Sequence, residues 1–273
     1  MHMIHDTAFL PGGVALPYVE SGRSDGVPVV LLHGFSDHWR SYEPVLPHLP
    51  AGLRAFAVTQ RGHGGASRPQ RAYAVTDLAA DAAAFLDAVG VERAVLVGHS
   101  MGSAVALQAA LDAPERVSGL VLGPGFSALR SEAAFGELVA AVHALTEPVD
   151  RAFVEAMQEQ AHEEHLPPGL FEAMVEQSMR VPARTWHALI DALDEFDLDH
   201  ELSGVTAPAL LIWGDEDPIV GRATQQKLLR DLPDAELLVY PGGGHVPHWD
   251  DPRRFAADVS QFALRIGRDA RVR

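Results

Sequence analysis

The sequence predicts an α/β fold: a doubly wound, mostly parallel sheet with helices on both faces and a helical insertion. Three observations carry the prediction. Short, continuous apolar runs alternate with amphipathic helical segments along most of the chain. The pentapeptide Gly98-His99-Ser100-Met101-Gly102 stands between one such run and a stretch of strong helix formers. The alternation then breaks between about Phe126 and Ser203, where helical patterns follow one another without a strand between them.

In chain order, the segment from about Ala8 to Glu20 contains Pro11-Gly12-Gly13 and reads as an antiparallel hairpin at the sheet edge. Val29-Val30-Leu31-Leu32 has the composition of a buried parallel strand, and Ala55-Phe56-Ala57-Val58 repeats it. A helix follows, with Thr76 as its expected N-cap and Leu78, Ala82, Phe85, Leu86 and Val89 on one face. Arg93-Ala94-Val95-Leu96-Val97 then leads into the pentapeptide, and the run from Ser103 to Ala110 leaves it as helix. Further strands are expected at Leu120-Val121-Leu122, Leu210-Leu211-Ile212-Trp213 and Leu237-Leu238-Val239-Tyr240. The last helix begins at Asp251-Pro252 and buries Phe255, Val259, Phe262 and Ile266. Right-handed crossovers between such strands place helices on both faces and ligands at the carboxyl edge. The expected organisation is one core domain, 1–125 and 204–273, carrying a lid at 126–203.

A chain of 273 residues, 47% of them hydrophobic, can bury a large core and fits one elaborated domain. It has no cysteine, so a disulfide framework, a thiolate metal site and a thiol nucleophile are all excluded. The formal charge of -16 argues against nucleic acid or an anionic membrane as partner, because polyanion binding needs clustered Lys and Arg. The same charge disfavours strongly anionic substrates. Met1-His2-Met3-Ile4-His5-Asp6 lacks the cationic and apolar regions of a secretory signal, and no stretch has the length of a membrane span. A cytoplasmic protein acting on a small molecule is expected, as monomer or homo-oligomer.

The pentapeptide is where chemistry is expected. A Gly-x-Ser-x-Gly squeezed between strand and helix forces its serine into a strained turn, and glycines at the flanks remove side chains that would collide there. Ser100 Oγ is thereby exposed at the carboxyl end of its strand, and the amide of Met101 points toward a developing oxyanion. A serine nucleophile also needs a base and an acid to orient that base. Past the strand ending at Trp213 stand Asp215, Glu216 and Asp217, and past the strand ending at Tyr240 stands His245 on a glycine-rich loop. Either Asp215 or Asp217 can be the acid. His33, His63, His99 and His248 are rival imidazoles, and the spacing of His245 and His248 admits a metal only if further ligands join them. None is evident, so neither metal nor cofactor is expected.

Taken with His33-Gly34-Phe35, Arg61-Gly62-His63-Gly64, Gly214-x-x-Asp217 and Gly244-His245 followed by Asp250 and Pro252, the chain resembles the α/β-hydrolase fold superfamily, in its branch of small lidded serine hydrolases. The resemblance covers nearly all of the chain outside the insertion. It implies Ser100 as nucleophile, His245 as general base, Asp217 as orienting acid, and an oxyanion hole from the backbone amides of Phe35 and Met101. Thr59, Ser103 and Asp250 stand where relatives often carry Asp, Gly and Glu. The side chains of Phe35, Met101, Val220 and Val246, with Phe126 and Trp186 from the insertion, are expected to wall the substrate pocket.

A serine at the elbow excludes the dehalogenases and epoxide hydrolases of this fold, which place aspartate there to form an alkyl ester. The leading expectation is hydrolysis of a carboxylic ester or lactone of a small, neutral, moderately hydrophobic substrate, through an acyl-enzyme on Ser100. Competing readings are carbon-carbon bond hydrolysis of a vinylogous diketone, perhydrolysis, and, from another class, a slow-turnover ligand receptor. Fold alone does not separate these, because function lies in the pocket.

Overall fold

A computed structural model describes residues 3–159 and 168–272. Among these residues, eight strands form one sheet: β1 (Met3–Phe9), β2 (Ala15–Gly22), β3 (Val27–Leu32), β4 (Leu53–Val58), β5 (Ala94–His99), β6 (Val117–Gly123), β7 (Ala209–Gly214) and β8 (Ala235–Tyr240). Their order is β1-β2-β4-β3-β5-β6-β7-β8, antiparallel from β1 through β2 to β4 and parallel beyond. The predicted hairpin is present and longer than expected, pairing Met3 with Ser21 and Phe9 with Ala15. Gly12 and Gly13 turn its corner at φ 77° and 80°, where a side chain is strained.

Alternation along the strands divides the interior into two cores. Val30, Leu32, Phe56, Val58 and Leu96 face helices α1 (Val75–Ala88) and α2 (Met101–Asp112). Val29, Leu31, Ala55, Val95 and Val97 face Phe255, Val259 and Phe262 of α9 (Pro252–Val272). Asp251 caps that last helix by accepting from the Arg254 N–H at 3.0 Å. Helix α1 starts one residue earlier than its expected cap: Ala74 precedes it, Thr76 lies inside the first turn, and the Asp77 carboxylate accepts from the Ala74 N–H at 3.0 Å. An acid in the third helical position thus reaches back and supplies the cap expected from threonine.

Between β6 and β7 the chain forms α3 (Ala133–His143), α4 (Arg151–Gln158), α5 (Leu170–Ser178) and α6 (Ala183–Glu195). The expected insertion also runs through 160–167, which lie outside the described residues. Its two ends are tied at the neck. Ala128 bridges Asp197, the Leu198 N–H donates to the Ser127 carbonyl at 2.8 Å, and Ser127 Oγ donates to Asp199 at 2.6 Å. After the insertion come α7 (Arg222–Asp231) and the short α8 (Pro247–Asp250).

The loops at the carboxyl edge are pinned by buried imidazoles. His33 Nδ1–H donates to the Gly34 carbonyl at 2.8 Å, and its Nε2 accepts from the Gln60 N–H at 3.0 Å, so the ring is neutral and its tautomer defined. His63 Nδ1–H donates to the Arg61 carbonyl at 2.9 Å and meets His33 edge-on. Arg61 is fixed in turn by two 2.5 Å contacts to Asp81. His99 Nε2–H donates to the His245 carbonyl at 3.0 Å, while His248 stacks on Tyr42. Burial is the main cause that lowers all of these imidazoles: His63 and His38 to about 4, His99 to about 3, and His33 and His248 well below the ordinary range.

These shifts make an acid-labile fold. Between the ordinary histidine range and the depressed native values, the unfolded chain holds protons that the native state excludes, so stability rises with pH through that window. Each histidine held neutral withdraws about 1.4 kcal/mol per pH unit as the medium is acidified below about 6.5. Asp37, which burial pushes up to about 6, acts in the opposite sense, as one group against five. Thermal melting from pH 8 to pH 4.5 should therefore show a nearly level Tm to about pH 6.5 and a steep fall below it. A Tm that stays level to pH 5 contradicts this account.

Candidate active site

Ser100 joins β5 to α2 at φ 49° and ψ -114°, a conformation that strains any residue with a side chain. The strain is imposed by its neighbours. A Cβ on Gly98 would strike the Gly102 carbonyl, and one on Gly102 would strike the Leu32 carbonyl, with the His33 oxygen 2.8 Å away. Strand, elbow and helix therefore touch backbone to backbone. Ser103, in place of a third glycine, is fully buried and donates its hydroxyl to the Ser100 carbonyl at 2.6 Å. Met101 opens α2, so its N–H has no intrahelical acceptor and is available at the helix's positive end.

His245 and Ser100 line one cavity. His245 Nδ1 lies 2.9 and 3.1 Å from the two carboxylate oxygens of Asp217, whose side chain is wholly buried. Asp217 Oδ1 also accepts from the N–H groups of Ile219 at 2.8 Å and Val220 at 3.0 Å, which fixes the carboxylate plane. Asp215 acts elsewhere. Its carboxylate accepts from the Gly242 N–H at 2.6 Å and braces the loop that leads to His245. Asp250 braces the same loop by accepting from the Gly244 N–H at 2.9 Å. Of the two carboxylates left open by the sequence, only Asp217 meets the imidazole. With its Nδ1–H given to Asp217, the neutral His245 ring leaves Nε2 without a proton.

Of the expected wall residues, Phe35 and Val246 line the cavity. The others stand back from it. Phe126 is fully buried against Phe196, and Trp186 packs edge-on against Phe35 and Phe153 with its indole N–H on the Val181 carbonyl. Trp186 thus supports Phe35 of the wall from behind, and Phe126 belongs to the buried core. The apolar lining comes from Leu129, Phe135, Leu138, Met157 and Leu193 of the insertion, with Ile219 in place of Val220. Met101 is buried, and its side chain belongs to the core. The space is small. Its volume is about 60 Å³.

A polar group on the loop after β3, beside Phe35, was not among the expected site residues. Ser36 has φ 69°, and its carbonyl accepts from Ser178 Oγ of α5 at 2.6 Å. Asp37 accepts from Ser41 Oγ at 3.1 Å and from Gln158 Nε2 of α4 at 3.3 Å. The insertion thus holds the loop that carries the Phe35 amide. An acid two residues after Phe35 was the available signal, but its partners come from 4 to 121 residues away. Among the described residues, no group of three His, Cys, Asp or Glu side chains is arranged to hold a metal ion.

This geometry can be set beside known proteins. A protein from Variovorax paradoxus (strain S110) named "Putative carbamate hydrolase RutD" is 33% identical over 92% of this chain and 97% of its own. Among solved structures, the esterase RhEst1 from Rhodococcus sp. ECU1013 is 26% identical with a TM-score of 0.84, covering 95% of this chain and 98% of that one. A hydrolase from Pseudomonas aeruginosa PA01 is 25% identical with a TM-score of 0.82, covering 94% and 97%. The sequence pattern of the alpha/beta hydrolase fold family matches residues 27–252, and with that span of agreement the chain belongs to this family.

Proposed function

We propose that this protein is a serine hydrolase that cleaves a small carboxylic ester or lactone through an acyl-enzyme on Ser100. The observation that carries the reading is a strained serine sharing a cavity with an imidazole whose far nitrogen is held by a buried carboxylate. His245 Nε2 takes the proton as Ser100 Oγ attacks the acyl carbon, and the N–H groups of Phe35 and Met101 receive the oxyanion. The imidazolium, stabilised by Asp217, returns the proton to the departing alcohol. Water then enters, gives its proton to His245 and attacks the acyl carbon, and Ser100 leaves with that proton.

The helices of 126–203 act in this reading as a lid. They contribute most of the apolar lining, and the small volume favours a short acyl group. The names of the Variovorax and Rhodococcus proteins are consistent with attack on an acyl carbon.

Ser100→Ala should lower kcat by about a thousandfold to a millionfold on p-nitrophenyl butyrate while the melting curve stays close to wild type. Retention of more than a few per cent of the activity in a pure preparation removes Ser100 from its role. Comparison of Asp217→Asn with Asp215→Asn separates the two carboxylates. The first should cost on the order of ten-thousandfold in kcat, because the imidazole loses its tautomer and its counter-charge. The second should cost stability and less than about tenfold in kcat, since it loosens only the loop. A collapse at position 215 with position 217 spared reverses the assignment.

The lining makes a further test. Leu138→Ala and Leu193→Ala should shift the optimum of an acetyl-to-octanoyl ester series toward longer chains, by about 1 to 3 kcal/mol in relative transition-state binding per methylene accommodated. Phe126→Ala and Trp186→Ala should instead lower stability by about 3 to 5 kcal/mol with the order of preference retained. Unchanged profiles in both leucine variants exclude these side chains from the acyl site.

A further inference from the structure

We propose that Asp37 is a specificity-determining residue that binds a protonated amine carried on the acyl part of the substrate. The inference rests on the serine-hydrolase reading and deepens it. It replaces the neutral acyl group expected from the apolar character of the insertion with a small cationic one.

Asp37 lines the same cavity as Ser100 and His245 and is 6% exposed. A buried carboxylate is costly unless a cation or several donors face it. Among the described residues the side-chain donors are few and neutral: the Ser41 hydroxyl at 3.1 Å and the Gln158 amide at 3.3 Å, the second long for a hydrogen bond of this kind. Gln158 divides its amide further, with Ser36 Oγ and Ser178 Oγ each at 3.4 Å. With its one proton given to Asp37, Ser41 Oγ accepts in turn from His248 Nε2–H at 2.9 Å, so this side contributes a single neutral donor. Among the described residues the other groups around Asp37 give it no further hydrogen bond: His99 of β5 borders Gly34 together with Asp37, but its Nδ1 carries no proton, because Nε2–H donates to the His245 carbonyl. From the loop after β8 comes His245, already committed to Asp217, and from the segment after β3 comes the phenol of Tyr42. Helix α8 contributes His248 through Ser41, and α4 and α5 contribute only Gln158 and Ser178. Among the described lining residues there is no Lys or Arg.

Among the described residues, the cavity therefore holds a buried carboxylate that no cationic side chain faces. Burial pushes this carboxyl up to about 6, which expresses the same deficit of positive charge. Above that pH it is ionised, and an ammonium two or three bonds from the scissile carbonyl supplies both the charge and the donors. In a cavity this small, such a substituent has little room elsewhere. The net charge of -16 raises the local concentration of cationic substrates around the protein.

The test compares two acyl groups of nearly equal shape, the p-nitrophenyl esters of β-alanine and of butyric acid, corrected for uncatalysed hydrolysis. The readout is the ratio of their kcat/KM values, in which effects of His245 common to both esters cancel. At pH 8 the wild-type ratio should exceed about tenfold in favour of the β-alanyl ester, mostly through KM. Asp37→Asn, which retains size and hydrogen-bonding capacity, should bring the ratio to near one. In the wild-type protein alone, the ratio should fall as the pH is lowered from 8 to 5, because the amine stays protonated while the carboxyl takes a proton. A wild-type ratio at or below one, a preference that survives Asp37→Asn, or a ratio independent of pH each overturns the proposal. Turnover of the butyryl ester that Ser100→Ala abolishes leaves the hydrolase reading standing in all three cases. If neither ester is turned over in a Ser100-dependent manner, that reading fails and the amine subsite fails with it.

Discussion

The structure depends on the closeness with which β5, α2 and the end of β3 meet around Ser100. No Cβ fits at position 98 or at position 102, because Gly98 faces the Gly102 carbonyl and Gly102 faces the Leu32 carbonyl. Close packing of three backbones is what puts Ser100 into an otherwise unfavourable conformation, at a local cost of order 1–3 kcal/mol that the surrounding core offsets. The same contact brings the end of β3, with His33 and the Phe35 loop, alongside the first turn of α2. Phe35 and Ser100, from distant parts of the chain, thereby line one cavity.

Around this junction the loops are held by groups that are neutral in the native state. His33, His63, His99 and His248 bind backbone carbonyls, amides or a serine hydroxyl, and carry no charge when they do so. The charged pair that braces these loops, Arg61 and Asp81, lies behind them and away from the cavity. Such an arrangement leaves the cavity's electrostatics to Asp217 with His245, and to Asp37. Of these two carboxylates, Asp217 has two backbone donors and an imidazole, whereas among the described residues Asp37 has two neutral side-chain donors.

The helices between β6 and β7 contribute more than a cover. Ser178 donates to the Ser36 carbonyl, and Gln158 reaches Ser36 and Asp37, so α4 and α5 are hydrogen-bonded to the loop that carries one of the two candidate oxyanion donors. A displacement of these helices is therefore coupled to the shape of the loop as well as to the volume of the cavity. The neck formed by Ala128 with Asp197 and by Ser127 with Asp199 restrains the two ends of the insertion together.

The sequence by itself determined the sheet, the elbow and the order of the reacting groups, because each is written in local terms. Apolar runs of four or five residues read as buried strands, glycines two positions either side of Ser100 specify a turn that admits nothing larger, and Asp251-Pro252 marks a helix start. Residue types alone left Asp215 and Asp217 open and the resemblance pointed to Asp217; the tertiary structure adds the contact, since both follow the same strand and only Asp217 faces the imidazole of a loop 28 residues away. Only the tertiary structure decided the cavity wall. Phe126 and Trp186 are bulky apolar residues in the insertion, as Leu138 and Leu193 are, and composition does not say which side of a helix meets the core and which meets the cavity. Asp37 was least legible of all: an acid in a loop is ordinarily solvated, and this one is buried among side chains from distant parts of the chain, Gln158 of the insertion included.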